Sequence, residues 1–313
     1  MPAPAPASAA PGASEASFAT VASAVVIGSL APLMLGVAPV VVGALVERLG
    51  FTPAQAGLVI SAHLGGIGVA GVPMTFLVRK PIWRKLLLAA LPVLVGLFAL
   101  AAFVKDPGLL ALSLFGAGLA GGVAVSITLP IMSRSKSPTT AFAWWVVLQL
   151  AVGSAGVALM PTLLASVGIG GLFLALAGIM ALMGPLLVFV PAGPDPSEAV
   201  AGAPAAAISP IGIVGLAGLF LFYVAVGASW AYFERIGDAA GIAAGPIART
   251  LSIATLCGVV GALLAAFTPP KLGQLGPLWS APQEVIHPLC WSEDHLDGTR
   301  DGKEASQAGR DRR

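Results

Sequence analysis

Three polar side chains lie inside stretches of the chain that are otherwise apolar: His63, Gln149 and Tyr223. A polar or ionisable group is costly in such surroundings, so each is a candidate for hydrogen bonding to a bound solute in a cavity. Other roles stay open for two of them. His63 could be a structural histidine that bonds a neighbouring helix or faces a water-filled cavity, and Gln149 could form a hydrogen bond between helices.

Acidic and metal-binding groups do not gather in these apolar stretches. No Asp or Glu lies in the middle of one, and the three histidines stand at positions 63, 287 and 295. Hydrolytic or metal chemistry needs such groups close together, and no GxxxxGK[ST] run is present to hold ATP phosphates. We therefore expect no enzyme activity, no catalytic residues, no metal site and no cofactor.

A short sequence motif occurs twice. Glu47-Arg48-Leu49-Gly50 and Glu234-Arg235-Ile236-Gly237 each follow a long uncharged run and precede a stretch rich in Gly and Ala, then another apolar run. Six membrane-crossing helices of ~20 residues would fit between the copies. The repeat (Glu47, Arg48, Gly50; Glu234, Arg235, Gly237) indicates two homologous halves that open with the same helical hairpin.

Composition indicates the class of protein that carries these residues. The 313-residue chain is 57% hydrophobic and 10% charged, with a mean hydropathy of +0.94. Only a bilayer requires uncharged runs as long as those between Lys136 and Asp195. The fold class expected is all-α, a polytopic helical membrane protein. The expected spans are 20–45, 56–78, 86–104, 108–130, 141–164, 170–190, 211–233 and 250–267, with a break at glycines within 166–171. Trp230 and Tyr232 end the seventh span and are expected to be interfacial anchors.

The remaining segments complete the predicted organisation. Residues 1–19 are expected to be a disordered arm, 20–190 a six-helix bundle, 191–209 a cytoplasmic linker and 210–267 the first two helices of a second bundle. Basic residues favour a cytoplasmic N-terminus in a plasma (inner) membrane. The strongest signal is the short loop between spans two and three, which contains Arg79, Lys80, Arg84 and Lys85.

The order of local motifs along the chain resembles the major facilitator superfamily of transporters. QAGLVIS at 55–61 is similar to the start of that family's second span, and FGAGLAGG at 115–122 to its glycine-rich fourth span. GIGGLF at 168–173 is similar to the entry of its sixth span, and FYVAVGASWA at 222–231 to its seventh. The resemblance implies two bundles and transport by alternating access.

The tail bears on the expected function. Residues 268–313 hold thirteen of the thirty charged residues and no further apolar run of membrane-crossing length. We expect a frameshift or truncation after the eighth span, or a genuine polar tail. The expected function is secondary transport of a small organic solute. The alternative is a truncated, non-transporting membrane remnant or scaffold. The expected partners are the solute and the lipid bilayer, with no nucleic acid, since the net charge is only +2, and no obligate protein partner.

Overall fold

Long α-helices account for most of the part of the chain that the structure describes. The computed structural model describes residues 16–194 and 210–267, apart from some side chains in the last two helices. Most of the predicted arm, most of the linker and the whole of the 268–313 tail lie outside these residues. The helices are α1 Phe18–Leu30, α2 Leu33–Leu49, α3 Pro53–Leu77, α4 Trp83–Ala101, α5 Pro107–Ser133, α6 Pro138–Ala181, α7 Pro210–Ala239 and α8 Ala244–Phe267, with a 3₁₀ helix at Gly184–Phe189.

The all-α, polytopic membrane fold predicted from composition is confirmed. Within the described residues, six helical stretches are long and apolar enough to cross a bilayer. They are Phe18–Leu49, Pro53–Leu77, Trp83–Ala101, Pro107–Ser133, Pro138–Phe189 and Gly245–Leu263. The predicted seventh span, 211–233, falls within α7.

Two of these stretches are interrupted where the sequence contains a helix breaker. Pro32 separates α1 from α2, because proline has no amide hydrogen to donate within a helix. The long α6 changes direction at Gly168, whose φ of 67° and ψ of −174° are not helical. A glycine adopts this backbone without a steric penalty. The predicted division of the 137–194 run near its glycine cluster is therefore confirmed.

The helices begin at residues that can satisfy their first amide groups. Thr52 accepts a hydrogen bond from the Gln55 amide at 3.2 Å, and the Gln55 side chain accepts one from the Thr52 amide at 2.9 Å. This reciprocal capping box fixes the start of α3. Asp106 plays the corresponding part for α5, accepting from the Leu109 amide at 2.8 Å. Both helices then continue with proline at their first position, which lacks the amide that would go unpaired.

Glycines bring α3 and α5 into close contact. A Cβ added to Gly118 would overlap the carbonyl oxygen of His63, and one added to Gly66 would overlap that of Phe115. Gly122 is similarly crowded, because a Cβ added there would lie 2.6 Å from the Ile67 carbonyl oxygen. Gly118 and Gly122, four residues apart on α5, thus form a packing surface that allows two backbones to approach.

One end of the bundle collects the basic residues, and we call it the basic end. It comprises the 78–82 loop, the 134–137 loop and residues 190–194. Trp83 is fully buried there, donates its indole N–H to the Val78 carbonyl at 2.7 Å and carries the Arg134 guanidinium 5.1 Å above its ring. The opposite end, which contains residues 47–53 and 234–244, is called the repeat end.

Arg84, near the start of α4, forms hydrogen bonds to the end of the 3₁₀ helix that follows α6. Its Nε donates to the Val190 carbonyl at 3.0 Å, and its Nη2 donates to the Val188 carbonyl. These carbonyls end the 3₁₀ helix, where no further turn supplies a donor.

Replacing Arg84 by Gln is therefore expected to lower the free energy of unfolding by about 1 kcal/mol. The control is Lys85→Gln, which removes the neighbouring positive charge from a residue that makes no such bond in the described structure. Thermal unfolding in detergent, followed by Trp fluorescence, should show a lower midpoint for Arg84→Gln only. Equal midpoints for the two variants would mean that the Arg84 bonds do not stabilise the fold.

Candidate functional site

An open cavity of about 900 Å³ lies at the basic end, between the beginnings of α1 and α6. Apolar side chains from both helices form most of its wall, among them Val21 and Val25 from α1 and Trp144 and Leu148 from α6. The side chain of Trp144 is half exposed, at 51%, so its indole is accessible to a bound solute. A volume of this size accommodates a small organic molecule.

The mouth of the cavity is polar. Ser17, Ser135, Lys136, Ser137 and Thr140 line it, and the Ser137 and Thr140 hydroxyls lie 2.7 Å apart. An apolar wall with a few hydroxyl groups at its rim is the usual composition of a small-molecule site. The cavity therefore has the size and lining to bind a small organic solute.

His63 does not face this cavity. It is fully buried at the α3–α5 contact, with Nδ1 3.1 Å from the Leu114 carbonyl oxygen and its ring edge-on to Phe98 at 5.6 Å between centroids. A carbonyl only accepts, so Nδ1 carries the proton. His63 thus has the alternative role given above, that of a structural histidine bonded to a neighbouring helix.

The other two predicted cavity residues are placed differently. Gln149 is half-buried and follows Leu148, which lines the cavity, but it does not line the cavity itself. It makes no hydrogen bond within the described residues. The side chain of Tyr223 lies outside the described part of the chain. The structure thus does not bring His63 and Gln149 together in one site, and their predicted role in solute binding stays a prediction.

The two predicted halves meet through α2 and α7. Trp230 of α7 donates its indole N–H to the Leu35 carbonyl of α2 at 3.0 Å. Tyr232 donates its hydroxyl to the carbonyl of Pro53, the first residue of α3, at 3.0 Å. A Cβ on Gly57 would overlap that hydroxyl, so the glycine makes room for the tyrosine. Both aromatic residues thus form direct hydrogen bonds to the first half. The predicted role as interfacial anchors did not include these bonds.

The two copies of the repeated motif also contact each other. Arg235 of the second copy lies 3.7 Å from Glu47 of the first and 3.1 Å from Asp238. The carboxyl group of Glu234 sits over Gly43, where an added Cβ would be 2.7 Å from the carboxyl carbon. The repeat that was noticed in the sequence is therefore a point of contact between the halves at the repeat end.

A second contact joins α6 to α8. Ser154 Oγ donates to the Ser252 carbonyl at 2.9 Å, and Ser252 Oγ donates to the Ser154 carbonyl at 3.1 Å. Both serines are buried. Ser252 lies eight residues into α8, about 12 Å from the repeat end. The direct hydrogen bonds between the halves that involve described residues therefore lie between mid-depth and the repeat end.

The exposure of the described side chains of α7 changes along the helix. Val214, Phe220 and Leu221 are 72%, 67% and 65% exposed, whereas Ala231, toward the repeat end, is buried. The described side chains of α7 toward the basic end are thus exposed, and the open cavity lies at the same end of the bundle. Sequence analysis missed this asymmetry, because apolar composition is similar along the whole helix.

Comparison with known proteins does not extend this description. Among the described residues, no three His, Cys, Asp or Glu side chains are grouped as metal ligands would be. No protein-family model matches the chain, and no curated protein matches it. The sequence and the structure together identify the chain as an all-α membrane protein with several spans.

Proposed function

We propose that the chain is a secondary transporter of a small organic solute that works by alternating access, in the manner of the major facilitator superfamily. One observation carries the proposal: the hydrogen bonds between the halves that involve described residues lie between mid-depth and the repeat end, whereas an open cavity lies at the basic end between α1 and α6. A transporter closed on one side and open on the other has this arrangement. The basic residues at the open end favour a cytoplasmic location for that end, in the plasma (inner) membrane.

The contacts that close the repeat end suit a movable gate. They consist of single hydrogen bonds from Trp230, Tyr232 and the Ser154–Ser252 pair, together with a partly exposed ion pair. Each such bond contributes only about 1 kcal/mol net, so the set can break and re-form. The α3–α5 contact, in contrast, is backbone against backbone at several glycines and belongs to a unit that moves as one body.

The direct test is flux through purified protein in proteoliposomes. Vesicles would be loaded with a mixture of glucose, alanine, betaine, lactate and benzoate, and the contents would be followed by mass spectrometry. Saturable flux of one class, absent from protein-free vesicles, is the expected result. Absence of saturable flux for every member of a widened panel, in protein that is folded and correctly inserted, would favour a non-transporting scaffold.

Trp144 should contribute to solute binding in the cavity. Trp144→Ala removes an aromatic face worth about 0.5–1.5 kcal/mol, so the half-saturation constant should rise roughly twofold to tenfold. The matched control is Leu159→Ala, a truncation at an exposed residue of α6 that does not line the cavity. If both variants keep the wild-type constant, the solute does not contact the cavity wall at Trp144.

A further inference from the structure

The carboxyl group of Glu234 lies at the contact between the halves, and one of its two oxygens lacks a hydrogen-bond partner in the described structure. Glu234 is the first charged residue after the apolar stretch 211–233, and its carboxyl lies against Gly43 of α2. Its Oε2 is buried and has no hydrogen-bond partner in the described structure. An ionised carboxylate held in this way loses hydration that nothing replaces, whereas a protonated carboxyl loses much less.

The surrounding charges add to this preference. The charged groups that face Glu234 are Glu47 from α2 and Arg235 and Asp238 from its own helix. Arg235 is shared, because it also pairs with Asp238 and lies near Glu47. Burial first, and then the charge of Glu47, raise the pKa of Glu234 to about 7, with a smaller increase from Asp238 and an opposing effect of Arg235. Geometry and charge both favour a proton on this carboxyl when α2 and α7 are in contact.

We propose that the contact between α2 and α7 is a proton-sensitive latch in which Glu234 is the group that binds the proton. With the proton bound, the carboxyl fits over Gly43 and the repeat end stays closed. When the proton leaves, the carboxylate is buried beside Glu47 and the contact loosens. The latch rests on the proposed alternation between closed and open repeat ends, but it concerns the position of the helices and can be measured without a solute.

The direction of the pH effect follows from linkage. In an open state the carboxyl is hydrated and has its ordinary pKa of about 4.5, so the closed state binds the proton more tightly. Below pH 4.5 the carboxyl is protonated in both states and the latch has its full strength. Between about pH 4.5 and 7 the closed state is progressively disfavoured, and above pH 7 the loss is complete and constant.

The latch can be tested by pulsed electron paramagnetic resonance on the full chain in lipid nanodiscs. Spin labels would be attached to Ala54→Cys and Ala240→Cys, two exposed residues at the repeat end on either side of the contact. Cys257→Ser and Cys290→Ser remove the native thiols. At pH 5 we expect one short distance, and at pH 8 a second, longer distance. The ratio of short to long should change roughly tenfold or more, since one pKa unit corresponds to a factor of ten.

Two variants assign the effect to Glu234. Glu234→Gln keeps the size of the side chain but cannot ionise, so it should show the short distance at both pH values. Lys105→Gln removes an exposed charge at the repeat end but outside this cluster, and should keep the wild-type response. A wild-type distribution that does not change with pH, or a Glu234→Gln variant that still responds, overturns the latch. A pH-dependent distance without measurable flux keeps the latch and counts against the proposed transport.

Discussion

A double variant with Ser154→Cys and Ser252→Cys is expected to lose all solute flux on oxidation and to recover it on reduction. Each serine hydroxyl reaches the main-chain carbonyl of the other residue, at 2.9 and 3.1 Å. The two backbones are therefore near the spacing that a disulfide requires, about 4.4–6.8 Å between Cα atoms. A covalent bond at this point would hold α6 and α8 together, and the repeat end could not open.

The experiment would use the Cys257→Ser, Cys290→Ser background, because Cys257 is an exposed free thiol. The two single-cysteine variants are the matched controls, and both should transport before and after oxidation. Cross-linking would be quantified by mass spectrometry and flux by counterflow in proteoliposomes. Cross-linked protein that transports at the rate of the reduced form would show that the halves need not separate here, and would contradict the proposed alternating cycle.

Gly118→Ala is expected to have the largest effect on stability. The added methyl group would overlap the carbonyl oxygen of His63 and lie 3.2 Å from the Cα of Gly66. All of these are backbone atoms, so no side chain can rotate away and α3 and α5 must move apart. Overpacking costs about 1–3 kcal/mol or more, and the separation would also weaken the contact of His63 with Leu114.

Gly65→Ala is the control for this substitution. Gly65 lies on α3 one residue before Gly66, but a Cβ there meets nothing within 4 Å. It should leave the unfolding midpoint in detergent nearly unchanged or raise it slightly, because alanine favours helix formation. The midpoint of Gly118→Ala should fall by several degrees. Similar midpoints for the two variants would mean that α3 and α5 pack less closely than their glycines indicate.

The helices themselves could be predicted because the bilayer imposes strong rules on sequence. A run of uncharged residues long enough to cross must be helical, since no water is present to bond the backbone. The break in α6 was predictable because the run is too long for one crossing and a glycine cluster marks a place where it can turn. The division of the predicted 20–45 span at Pro32 was not expected from the sequence.

The site was less predictable because it depends on which helices become neighbours. His63 was selected as a polar residue in hydrocarbon, but its partner is a carbonyl 51 residues away in the chain. Trp230 and Tyr232 have the composition of an aromatic belt, and only the position of α2 shows what they bond. The apolar wall of the cavity is formed by Ala, Val, Phe, Trp and Leu side chains, which no sequence pattern separates from those that pack in the core.

The helices that carry the two copies of the repeated motif end at different positions relative to it. Gly50 ends α2 in the left-handed conformation, with φ of 70°, whereas Gly237 remains inside α7 and Gly241 adopts φ of 78° instead. The second helix is thus about one turn longer beyond the repeated motif. Glu234 is half-buried, whereas the side chain of Glu47 is 53% exposed. Two glutamates at the same position of a repeated motif can therefore differ in chemistry when their helices end at different glycines.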